Sequence, residues 1–125
     1  MNDLELARRA VACKHWRWMP GMRHGTPVDG VLAHYYRFGD LNLYVDADRL
    51  PDLTDPATLG CLLALVREAW GDPSLCANDA GHYDLMFWHV YTGYRNVSEG
   101  CQTEAEALVA ALEAAPRATT LKEKS

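Results

Sequence analysis

"DPATLGCLLALVREAWGDP", residues 55–73, carries its own beginning and end. Asp55 is a helix-capping type, and Pro56 stands where the first helical residue needs no N–H. Gly71 follows the last apolar residue and suits the left-handed backbone that closes a helix. Between them Leu59, Leu62, Leu63, Val66 and Trp70 recur at spacings of three and four, while Arg67 and Glu68 fall on the other side. The pattern predicts an amphipathic helix with an apolar stripe that must face a core.

Two further helices follow from the same logic. In "TEAEALVAALEAAP" (103–116), Thr103 and Glu106 have capping-box spacing, Ala105, Leu108, Leu112 and Ala115 form a stripe, and Pro116 ends the run. The N-terminal "NDLELARRAVAC" offers Asp3 as a cap, with Leu4, Leu6, Ala7, Ala10 and Val11 as apolar positions.

Elsewhere the period shortens to two. Leu41, Leu43 and Val45 alternate with Asn42, Tyr44 and Asp46, and "VLAHYYRF" (31–38) precedes them, so a hairpin bending at Gly39-Asp40 is expected. "YDLMFWHVYTGYRNVSE" (83–99) predicts a second hairpin near Thr92-Gly93. "KHWRWMP" (14–20) reads as a short strand with Trp16 and Trp18 on one face. The expected class is α+β: an antiparallel sheet of about five strands carrying two to three helices. The two later helices are expected to lie on that common sheet.

The 125 residues suit one domain, expected over 1–116, with 117–125 as a flexible tail. Composition is ordinary for a globular chain, at 49% apolar and 23% charged. No apolar run is long enough for a membrane span, and the charged N-terminus is unlike a secretory leader, so the expected location is cytoplasmic. Cys13, Cys61, Cys76 and Cys101 form no CxxC pair and read as reduced thiols.

A net charge of −5 argues against a nucleic-acid binder. Its distribution is uneven: residues 1–37 hold six Lys or Arg against three acids, net +3, which leaves −8 in the remainder. Such polarity suits a protein partner. The acidic run "GDLNLYVDADRLPDLTD" (39–55) offers Asp46 and Asp48 as a patch for a basic surface.

Motifs for chemistry do not assemble. "MRHGTP" (22–27) has the Arg-His-Gly of histidine phosphatases, but Thr26 follows Gly25 directly, and the Gly and Pro residues around it read as a loop. His15, His24, His34, His82 and His89 show no metal-ligand spacing with one another or with the cysteines, so no metal and no cofactor are expected. Cys76 lies in a loop-like "GDPSLCANDAGH" (71–82), where Asp72 and Asp79 supply negative charge instead of the positive field that activates a thiol nucleophile.

The early "WRWMP", the "LPDLTDPATLGCLLALVREAWGDP" linker and helix, the Trp88-His89-Val90 strand and the closing "TEAEALVAALEAA" helix together resemble small phage and prophage proteins. These are the phage ABA sandwich group, with helices on both sides of an antiparallel sheet. The resemblance covers residues 14–115, and its motifs are packing motifs. It implies a phage or prophage protein acting in the bacterial host cytoplasm. The expected function is non-enzymatic: occupation of a host protein surface, such as a component of a bacterial defence system. Partner-binding residues are expected at Trp16, Trp18, Arg23, Asp46, Asp48, Tyr91, Tyr94 and Arg95. The alternative is a small-molecule binder that sequesters a nucleotide-like signal, with Arg37 or Arg95 on its phosphate. A homodimer is a further option, since a sheet face or edge can be satisfied by self-association.

Overall fold

The computed structural model describes residues 2–39, 48–82, 85–92 and 95–116, without the side chains of 79–82, 85–87, 92, 95, 96 and 98–100. Helix α1 spans Asp3–Ala12, strands β1 Arg23–Val28, β2 Val31–Arg37 and β3 Leu50–Pro51 follow, then α2 Pro56–Trp70, β4 Cys76–His82, β5 Leu85–Thr92, β6 Arg95–Cys101 and α3 Glu104–Ala114. The class is α+β, with helices packed on antiparallel strands. Those strands form two separate three-stranded sheets, ordered β2-β1-β3 and β4-β5-β6, instead of one layer.

Each helix boundary has a local cause. Asp55 caps α2 by accepting from the Thr58 N–H at 3.0 Å, and Gly71 closes it at φ 65°. Thr103 caps α3, accepting from the Glu106 N–H, while the Glu106 carboxylate reaches back to the Gln102 N–H. For α1 the cap is Asn2, not Asp3; Asp3 is the first helical residue, where its charge still favours the positive end of the helix.

Helix α3 is the hub. It packs against all three strands of the second sheet and against both α1 and α2. Ala105, Ala107, Leu108, Val109, Ala111 and Leu112 are all buried, so its apolar surface runs nearly all round and the expected single stripe is too narrow. The expectation that α2 lies on the same sheet is wrong: its main neighbour is α3. Its buried residues, Thr58, Leu62, Leu65, Val66 and Ala69, are rotated from the expected stripe, leaving Leu59, Leu63 and Trp70 half-buried. The Trp70 indole N–H crosses to the Ala111 carbonyl at 2.8 Å and ties the two helices.

In the second sheet β5 is central, with Cys76↔Tyr91 and Thr92↔Arg95 marking its register on either side. The expected 83–99 hairpin is thus present as β5 and β6. Two other segments were misread. "MRHGTP" is not a loop but holds all of β1 except Val28, and the bulge between His24 and Thr26 accommodates the glycine. A Cβ on Gly25 would stand 2.8 Å from the Ala33 carbonyl oxygen, so the close approach of β2 requires a bare backbone. Likewise Cys76 opens β4 rather than a loop, because pairing with β5 overrides its weak intrinsic preference.

"KHWRWMP" is not a strand. Its backbone bonds are local turns, Trp16 N–H to the Cys13 carbonyl and Met22 N–H to the Met19 carbonyl, with no ladder to a neighbour. The expected strand at 41–46 and the Gly39-Asp40 bend involve residues outside those described. Instead β2 pairs with β1 around Asp29 (φ 49°) and Gly30 (φ 85°), the two positive φ values of a type I′ hairpin turn.

Candidate functional site

Among the described residues, the exposed large hydrophobic side chains are Val28, Val31, Tyr35 and Tyr36, at 39%, 62%, 41% and 66% exposure. All four stand on the β1–β2 hairpin. Single exposed apolar residues are ordinary, whereas here four gather on one element. Tyrosine is also among the side chains that most often anchor protein interfaces.

Three arginines hold this hairpin in place. Arg49, just before β3, donates from Nε to His24 Nδ1 at 2.5 Å and from Nη1 to Thr26 Oγ1 at 2.8 Å. Its Nη2 reaches the His24 carbonyl at 3.3 Å and also the carbonyl of His34, a residue held at φ 54°. One guanidinium thereby joins β1, β2 and the approach to β3, with its carbon 5.2 Å from the Tyr36 ring centroid. His24 acts here as an acceptor and is neutral: burial, and then the Arg49 charge, push its pKa below the ordinary imidazole value.

Arg23 lies over the Tyr35 ring at 3.9 Å and pairs with the buried Asp52 at 3.7 Å. Its backbone N–H donates to the Thr58 hydroxyl at 2.8 Å, which fastens β1 to the first turn of α2. Arg37 makes a forked pair with the Asp55 carboxylate at 2.8 and 3.2 Å and also donates to the Gly21 carbonyl. Chiefly through Arg37, and then through Thr58, the Asp55 carboxyl is held down at about 2.

Beside the hairpin lies a groove of about 330 Å³, walled by Leu4, Leu32, Pro51 and Leu53, with Tyr35, Asp3 and Asp52 among its polar members. A second, shallower hollow of about 250 Å³ is lined by Lys14, His15, Trp16 and Arg17 from the α1–β1 connection and by Leu65 and Glu68 of α2. Arg17 and Glu68 form an ion pair across it. The Trp16 indole nitrogen is buried without a hydrogen-bond partner.

Of the residues expected to bind a partner, those among the described residues lie in different parts of the fold. Arg23 belongs to the hairpin region and is half-exposed. Trp16 and Trp18 pack against the core edge-to-face, 5.3 Å apart, with Trp18 also 5.5 Å from His24. Tyr91 lies on the other sheet, 4.8 Å from the His89 ring, while Trp88 and Val90 take the core-facing side of β5. Asp48 is exposed in a turn. Asp46, Tyr94 and the Arg95 side chain lie outside the described residues.

No disulfide joins any of the four cysteines. Burial raises the Cys61 and Cys101 thiols, with Asp55 and Glu106 respectively adding to the effect, so both are poor nucleophiles. Among the described residues no group of three or more His, Cys, Asp or Glu could hold a metal ion, and no helix is long and apolar enough to cross a membrane. Comparison of the chain with models of protein families, with curated proteins and with solved structures finds no match.

Sequence reasoning missed Val28, Val31, Tyr35 and Tyr36. The signal was available, since Asp29-Gly30 between two valines is a strong short-range hairpin pattern.

Proposed function

We propose that this chain is a non-enzymatic binding protein that docks on another protein through the β1–β2 hairpin. The observation behind this reading is the gathering of Val28, Val31, Tyr35 and Tyr36 on one exposed element. Arg49, Arg23 and Arg37 tie that element to β3, Asp52 and α2, so little conformational freedom remains to be lost on binding. The phage setting and the host-protein partner rest on the resemblance of packing motifs alone. For the nucleotide-sequestering alternative, Arg37 is already committed to Asp55 and Gly21, and the Arg95 side chain lies outside the described residues.

The test is capture from a lysate of the source organism with the wild-type chain, Val31→Ser and Tyr36→Ser as baits. Both side chains are exposed, so the variants should melt with the wild type. A protein retained by the wild type and lost from both variants supports the reading. Identical capture by all three baits refutes it.

A further inference from the structure

We infer that the groove beside the hairpin receives a lysine or arginine side chain of the docked protein. The inference rests on the proposed docking reading and adds the chemistry of the anchor. The groove is continuous with the exposed hairpin, because Gly30, Val31, Leu32 and Tyr35 form part of its wall. Leu4, Leu32, Pro51 and Leu53 supply an aliphatic lining for a hydrocarbon stem, and two carboxylates, Asp3 and Asp52, supply acceptors for a cationic head.

Asp52 is 6% exposed, and its Oδ1 already accepts from the Thr54 N–H and hydroxyl at 3.0 and 2.6 Å. Its Oδ2 has Arg23 at 3.7 Å, longer than a hydrogen bond, so that oxygen keeps accepting capacity. The charges facing the groove are Asp3, Asp52 and the nearby Arg23 guanidinium, two negative against one positive. The N-terminus of α1 also opens here, but Asn2 caps it and Glu5 offsets its positive end, which leaves the Asp3 charge to the groove. The remaining negative charge selects a cation with an apolar stem over an anion or a purely aliphatic chain.

The probes are Nα-acetyl-lysine N-methylamide and its norleucine counterpart, which share a stem and differ in the charged head. Each is titrated into the full chain while backbone amide shifts are followed by NMR. The lysine probe should move amides at 30–35 and 52–54 and bind about fivefold more tightly than norleucine, the difference one exposed ion pair can supply. Asp3→Asn and Asp52→Asn should each shrink that ratio, and Asp3→Asn, on an exposed first turn, carries the test if Asp52→Asn fails to fold. Equal affinity of the two probes, no shifts at the groove, or a ratio unchanged by the folded variants would overturn the inference. If the probes fail while the hairpin baits still lose their captured protein, docking stands and only the cationic anchor falls. If the hairpin baits lose nothing, docking itself falls, whatever the probes do.

Discussion

Replacing Asp55 tests whether one carboxylate couples the hairpin to helix α2. The side chain accepts from the Thr58 N–H at 3.0 Å and from the Thr58 hydroxyl at 2.9 Å, and it receives the Arg37 fork. Thr58 is fully buried. Asp55→Ala therefore removes a helix cap, costing about 1 kcal/mol, and strands a buried hydroxyl donor, costing about 1 kcal/mol more. The ion pair adds little, because Arg37 is half-exposed and can hydrate. The sum is about 2 kcal/mol, or a fall in Tm of about 8 °C for a domain of this size. Asp55→Asn can keep one oxygen on the Thr58 N–H and hydroxyl, but it loses the charge and the branch of the fork from Arg37 Nη2, because its amide nitrogen donates; its Tm should fall by less than that of Asp55→Ala.

The pH dependence separates the two variants further. With the folded carboxyl at about 2 and the ordinary value at 3.8, the native state holds the proton less tightly than the unfolded chain. This contribution is fully present above the ordinary value and is lost as pH falls from about 4 towards 2. Chemical denaturation between pH 2 and 7 should show that acid loss in the wild type and a smaller one in Asp55→Asn. Equal damage from the two substitutions, or an acid limb unchanged in Asp55→Asn, would refute the coupling.

Two other perturbations probe the hairpin. Gly25→Ala should destabilise by about 1–3 kcal/mol, since the added methyl meets backbone at 2.8 Å and the bulge must open; a Tm equal to wild type would show that the strand gives way freely. His24 is held neutral, so the unfolded chain takes up a proton first as pH falls. Its contribution is complete above the ordinary imidazole value of 6.5 and declines below it, and His24→Gln should flatten that part of the stability curve between pH 5 and 8. An identical slope in the variant would place the titration elsewhere.

Helices α2 and α3 were legible because their signals are local: a capping residue, a proline or glycine at the boundary, and periodic leucines. Their partners were not, since a stripe at Leu62 and Val66 records burial without recording what covers it. Strand β1 was hidden because Gly25 and Pro27 imitate a loop, and only the pairing with β2 shows that the glycine admits a bulge. The candidate site was harder still. Arg49 takes its acceptors from His24, Thr26 and His34, which are distant from it in the chain, and no spacing announces such a convergence. Trp16 and Trp18 misled in the opposite sense, since their aromatic character suits a core as well as an interface.

The position of α3 in the chain has an implication for biosynthesis. Every element that leans on it is translated before it, so the faces of α1, α2 and the second sheet that α3 covers emerge first. Until residues 104–114 leave the ribosome, the growing polypeptide must rely on chaperones or on transient collapse to shield those faces.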